Sequence, residues 1–233
     1  MNRNLILVAL IAISIFSCAR KEGAMTVQGN IIGLQKGTLY LQKFQDTLLV
    51  SVDSVVLNGE SSFVLVDDLK DPEMYYLKLD KNGDNKIDFF GEKGVITINS
   101  KLEKFTIAAK VTGSKSHDIL MEYRDMTSQF SGKRLDLLKA TFDAQAAKDD
   151  DEIEKLDKDL KRLMKNRYRY TTSFALRNSK SEVAPYLALT ELFDAHVSLL
   201  DTVNNSLSKK VKASKYGIAL DDFIKEIKES EAN

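Results

Sequence analysis

In a chain of 233 residues, 34 Lys and Arg stand against 34 Asp and Glu, so there is no net basic footprint of the kind that nucleic-acid binding needs. A single Cys excludes an internal disulfide, and two His without HExxH-like spacing give no catalytic zinc pattern, which takes three protein ligands. The 43% hydrophobic content is enough for the core of one or two domains, and only two prolines, Pro72 and Pro185, leave room for long uninterrupted helices.

Residues 1–17 have the form of a secretory signal. Arg3 and the amino terminus make a short basic region, and Leu5 to Phe16 is an uncharged apolar run. A membrane-spanning helix needs roughly 20 apolar residues, so this run has the length of a signal-peptide core instead. Ile15-Phe16-Ser17-Cys18 then reads as a lipobox, apolar at −3 and small at −1, although Phe16 is bulkier than usual at −2. The expectation is cleavage before Cys18 and attachment of diacylglycerol to its thiol, with palmitate among the acyl chains and residues 18–24 as a tether. The alternative is a buried, inert Cys18 or an uncleaved anchor. Ala19-Arg20-Lys21-Glu22 lacks an acidic run, which favours a periplasm-facing position on the outer or inner membrane of a cell envelope.

Residues 25–114 read as short strands separated by turn residues. The strand segments are Val27 to Ile32, Thr38 to Leu41, Leu48 to Val56, Ser62 to Val66, Met74 to Leu79, Lys86 to Phe90, Val95 to Ile98 and Phe105 to Val111. Asn58-Gly59 is a turn dipeptide and Pro72 interrupts the chain. Links this short suit antiparallel pairing, so a β-sandwich is expected.

Residues 115–233 change to helical periodicity. Leu120, Met126, Phe130, Leu137 and Phe142 recur at helical spacing. After the charged stretch 148–152, Ile153, Leu156, Leu160, Leu163, Arg167 and Tyr170 step by three and four. Two long helices joined near Asp149 to Asp151 predict an antiparallel hairpin. Asn178-Ser179 ends the second helix. Further helices are expected from Ser181-Glu182, over Val197 to Leu207, and after a capping Ser214. The fold class is therefore α+β: an antiparallel β-sandwich followed by a helical region, 115–233, with a long hairpin.

The sharpest local motif is Asp80-Lys81-Asn82-Gly83-Asp84-Asn85-Lys86-Ile87-Asp88. Asp80, Asn82, Asp84 and Asp88 supply oxygens at calcium-loop spacing, but Asn85 replaces the required Gly and Gly91 the bidentate Glu. The other reading is a hairpin turn, which uses the same residue types for left-handed geometry. His117 and His196 are far apart and read as caps or surface residues. Gly113-Ser114-Lys115-Ser116 lacks the upstream Gly of a phosphate-binding loop and reads as a turn and helix N-cap. There is no GxSxG elbow. Arg162, Lys165, Arg167 and Arg169, with Tyr168 and Tyr170, read as a solvated helix face whose aromatic edges pack inward; the second reading is a face for anionic lipid or polysaccharide.

Several spaced residues, taken in order, resemble domain of unknown function 4369. They are Val27-x-Gly29-x-Ile31-x-Gly33, Gly37-x-Leu39-Tyr40-Leu41, Asp53-Ser54-Val55, Gly59-x-x-x-Phe63, Pro72-x-x-Tyr75-Tyr76-Leu77, Phe89-Phe90, Gly94-x-Ile96 and Val111-x-Gly113-Ser114. The resemblance covers about residues 25–125. It implies an envelope module of the kind that precedes a thioredoxin-like domain in thiol–disulfide interchange lipoproteins. This sequence has no second Cys with which to form that domain's CxxC motif, so the redox chemistry is not carried over. The expected function is a lipid-anchored, non-catalytic binding module without cofactor, with an envelope protein or glycan as partner. The alternative is an accessory subunit that serves a separate thioredoxin-like protein.

Overall fold

A computed structural model of the chain describes residues 24–80 and 84–231. The signal segment 1–17, Cys18 with most of the tether, and Asn82 of the acidic loop lie outside the described residues. No described helix is long and apolar enough to cross a membrane.

Among the described residues, eight strands form two four-stranded sheets. The strands are β1 (Met25–Ile32), β2 (Lys36–Gln45), β3 (Leu48–Asn58), β4 (Ser62–Asp67), β5 (Glu73–Leu79), β6 (Lys86–Gly91), β7 (Gly94–Lys101) and β8 (Lys110–Thr112). One sheet has the order β4-β1-β7-β8 and the other β3-β2-β5-β6. Their inner faces share one core, with Val27, Ile31, Leu65, Ile96 and Ile98 on one side and Leu39, Leu41, Tyr75, Leu77 and Phe89 on the other. Alternation of buried and exposed residues along β1, β4 and β7 is the pattern that such a two-layer core requires.

Two details differ from the sequence expectation. The pairing is not wholly antiparallel: β1 runs parallel to β7, from Met25 opposite Gly94 to Ile32 opposite Lys101. Short links enforce antiparallel pairing only between successive strands, whereas these two are separated by five others. The segment Phe105 to Val111 is also not one strand. Leu102–Lys104 is a single 3-10 turn, the Ala108 amide bonds back to the Lys104 carbonyl at 2.8 Å, and only Lys110–Thr112 pairs with β7. Phe105, 2% exposed, plugs the end of the sandwich core.

The helices are α1 (Lys115–Ala147), α2 (Asp150–Arg177), α3 (Val183–Glu191), α4 (Val197–Ser206), α5 (Lys209–Lys212) and α6 (Lys215–Glu231). The hairpin forms where the charge run predicts it. Lys148 adopts a left-handed conformation at φ 55°, and the Asp149 carboxylate accepts from the Glu152 amide at 3.1 Å to cap α2. Three acidic residues occupy the first turn of α2, where the helix dipole favours them. The one-turn α5, capped by Ser208, is an element the periodicity did not indicate. Ala175, Ala188, Leu200, Val203, Leu220 and Ile224 form a core within the helical region.

Candidate ligand cleft at the sandwich–helix junction

The junction begins in β5 and β6. Their sequences are apolar at adjacent positions, Met74-Tyr75-Tyr76-Leu77 and Phe89-Phe90, so both faces carry apolar side chains. Tyr75, Leu77 and Phe89 enter the sandwich core. Met74 and Phe90, paired in register, face the other way and are covered by Leu120, Tyr123, Phe174, Val183 and Leu187. Burial on both faces is what a near-continuous apolar strand signals, and the helices are the second layer.

α1 is tied to the sheet at its first turn. Glu92, after β6, accepts from the Lys115 amide at 2.8 Å and the Ser116 amide at 3.1 Å. The Ser114 hydroxyl accepts from the His117 amide at 3.0 Å and donates to the Phe90 carbonyl at 2.7 Å. Three of the orphan donors at the helix start are thus met by oxygen acceptors. Gly113 precedes this cap at φ +93°, and a Cβ there would lie 2.2 Å from the Val95 carbonyl oxygen. His117 is neither exposed nor a cap. It is 6% exposed, and its Nδ1 accepts from the Phe90 amide at 3.4 Å. Burial, then the nearby Arg124 charge, lowers its pKa. His196 does cap a helix: its Nδ1 accepts from the Ser198 amide at 3.2 Å at the start of α4.

α6 is tied in by charge. Glu73, with its side chain 9% exposed, lies between Lys215 at 2.5 Å and Lys43 at 3.0 Å. Lys43 also meets Asp67 at 2.8 Å, and the Tyr75 hydroxyl donates to the same Asp67 oxygen at 2.5 Å. Burial pulls the Lys43 pKa down, but hydrogen bonds and charge from Asp67 and Glu73 outweigh it and raise the value.

Between β5 and the helices α3 and α6 lies a cleft of about 580 Å³, within the range of small-molecule sites. Its walls are Phe44, Tyr76, Tyr186 and Tyr216, and its mouth carries Asp46, Lys215 and Asp222. The Tyr186 and Tyr216 rings meet edge-on at 5.2 Å, and Phe44 meets Tyr76 edge-on at 5.8 Å. Burial pushes the Tyr186 phenol up to about 12 and raises Tyr216 and Tyr76. All three remain protonated at neutral pH, so the cleft offers aromatic faces and hydroxyls.

None of these cleft residues stood out as functional in the sequence. The doubled aromatic Tyr75-Tyr76 was the one available signal, because two adjacent ring residues in a strand point to opposite faces. The residues that did stand out are distributed elsewhere. Asp80, at φ 55°, and Asp84 bound the turn between β5 and β6, and the Thr38 amide donates to the Asp80 carboxylate at 3.4 Å. Asp88 is held by Arg124 at 2.5 Å. Among the described residues, no three His, Cys, Asp or Glu side chains group to hold a metal. The basic cluster is split: Arg167 pairs with Glu191, Arg162 with Asp159 at 2.8 Å, and Tyr170 packs at 6.1 Å from both Tyr123 and Phe174.

A family model described as Domain of unknown function (DUF4369) matches residues 25–120, the whole sandwich and the capped start of α1. Over this segment the chain is similar to the DUF4369 family. The matched residues include Glu92, Ser114 and His117, so the cap that seats α1 lies within the DUF4369 match. No curated protein and no solved structure matches the chain.

Proposed function

We propose that this protein is a lipid-anchored binding module of the bacterial envelope, which takes its ligand in the aromatic cleft between the β-sandwich and the helices. The carrying observation is the convergence of Tyr76, Tyr186 and Tyr216 from three separate elements on one open cleft. Aromatic rings with a polar rim suit a ligand that has a flat apolar face and hydrogen-bonding edges, such as a sugar ring or a side chain of an envelope protein. Binding rather than catalysis is favoured because the phenols stay protonated and the Lys215 ammonium is engaged by Glu73 and the Phe44 carbonyl. The anchor is Cys18, from the lipobox reading.

Two measurements test this reading. Radiolabelled palmitate should enter the wild type and not Cys18→Ser; equal labelling of both, or of neither, removes the anchor. Envelope glycan fragments and envelope proteins should be retained by the wild type and lost from Tyr76→Ser/Tyr186→Ser. Retention unchanged by that double substitution removes the cleft. A second reading, an accessory to a thioredoxin-like protein, is favoured by the DUF4369 match alone, and unaltered envelope disulfides in a deletion strain would remove it.

A further inference from the structure

Another open groove lies between α2 and α4 and encloses about 560 Å³. On α2, Leu160, Met164 and Tyr168 are spaced i, i+4, i+8, and so are Lys161, Lys165 and Arg169 one residue later. Helical geometry sets the two sequences side by side as parallel stripes about 12 Å long, one apolar and one cationic. α4 adds Leu199 and His196 from the opposite side, so the apolar stripe is the floor of a trough. No carboxylate lines it.

Neighbouring acids neutralise this cationic edge only in part. Lys161 pairs with Asp157 at 2.7 Å across one turn of exposed helix, a contact worth little in water. Asp194 lies beside the Tyr168 hydroxyl and, after burial, helps to raise its pKa. Lys165 and Arg169 make no ion pair with any described residue, although most cations along α2 do. The folded chain therefore turns one pair of unneutralised cations toward one apolar trough.

We propose that this groove is a second binding site, for a single anionic amphiphile: an alkyl chain lying on Leu160, Met164 and Leu199, with a phosphate or carboxylate head on Lys165 and Arg169. Charge complementarity selects an anion: the Arg169 guanidinium can fork onto two of its oxygens, and the Lys165 ammonium adds a point charge beside them. The apolar floor selects a chain attached to that anion. The α2 wall is mid-helix, with its backbone amides paired internally, so an extended peptide would find no main-chain donors along it, whereas an alkyl chain needs none. A trough of this volume between two helices accepts one alkyl chain.

The test uses the full chain and dodecyl phosphate below its micelle concentration, with binding followed by calorimetry. Inorganic phosphate and dodecyl maltoside supply the head and the chain separately. Dodecyl phosphate should bind at least tenfold more tightly than either. Lys165→Glu/Arg169→Glu should weaken it at least tenfold with an unchanged circular dichroism spectrum, since both residues are exposed. Lys158→Glu/Arg162→Glu, with the same change in charge outside the groove, should leave it within twofold. The proposal is overturned by absence of dodecyl phosphate binding, by equal loss in the two double variants, or by binding to phosphatidylglycerol vesicles without binding to the monomer. Tyr76→Ser/Tyr186→Ser, which disables the cleft, should leave this affinity unchanged; loss there would place the ligand in the cleft instead.

Discussion

The Tyr216 hydroxyl accepts a hydrogen bond from the Met74 amide at 3.0 Å, joining α6 to a strand 142 residues earlier. The ladder between β2 and β5 ends at the Lys43–Tyr75 pair, one residue short of Met74, so a side chain meets the amide there. The same ring lies 6.0 Å from Phe90 and 5.2 Å from Tyr186, so one tyrosine both seals the sheet end and forms a cleft wall.

Tyr216→Phe keeps the ring and removes the acceptor. Met74 is buried, and an unsatisfied buried amide costs about 1–3 kcal/mol. Chemical denaturation should show a lower midpoint with an unchanged slope. A midpoint equal to wild type would mean that water replaces the hydroxyl.

Glu73 and Lys215 should respond unequally. Glu73→Ala removes the anion that Lys43 and Lys215 share, while Lys43 keeps Asp67, so the loss should be about 1.5–3 kcal/mol, the range of hydrogen bonds to charged groups. Lys215, 41% exposed at its side chain, leaves Glu73 still paired to Lys43 when removed, so Lys215→Ala should cost about 1 kcal/mol. Equal losses would show that the two lysines do not share the load as their positions indicate.

His117 gives the junction a pH dependence. Its folded pKa lies below the unfolded 6.5, so between those values the unfolded chain binds more protons. Its contribution is complete above about 6.5 and is lost as pH falls through the folded value. The melting temperature should drop between pH 7.5 and 5.5, and His117→Gln should flatten part of that drop. Parallel profiles for the two proteins would assign the acid sensitivity to other groups.

The outer part of the hairpin should open before the sandwich does. Between Tyr123 and Thr171 only Ala144 and Leu156 are buried, while Leu135 and Phe142 are 66% and 69% exposed. Few buried apolar contacts mean a low local opening free energy. Amide hydrogen exchange should be faster over 126–165 than over β1, β2 and β7, and Leu156→Ala should widen the difference. Uniform protection along the chain would overturn this.

Gly113→Ala should destabilise through the backbone. Its φ of +93° is one that side chains rarely adopt, and the added Cβ would approach the Val95 carbonyl to 2.2 Å. The conformational part alone is about 1–3 kcal/mol, and the clash adds to it. Thermal denaturation should show the loss, with α1 displaced from its Glu92 and Ser114 caps. A melting temperature within a degree of wild type would mean that β7 yields easily at Val95.

Local chemistry was legible in the residues alone. Asn58-Gly59 turns the chain, with Gly59 at φ 98°, Ser114 and Asp149 cap the two long helices, and the charge run at 148–152 marks the hairpin bend. Each depends on a side chain and a backbone group a few positions apart, so each is written in the spacing. The tertiary structure alone decided that β1 lies parallel to β7, that Met74 and Phe90 face the helices, and that Tyr76, Tyr186 and Tyr216 meet in one cleft. It also sorted the basic residues of α2, sending Arg167 to Glu191 and leaving Lys165 and Arg169 beside an apolar floor. Those arrangements join residues up to 142 positions apart. Long-range partners are chosen by which surfaces can be buried together, and periodicity reports only that a surface exists, not what covers it.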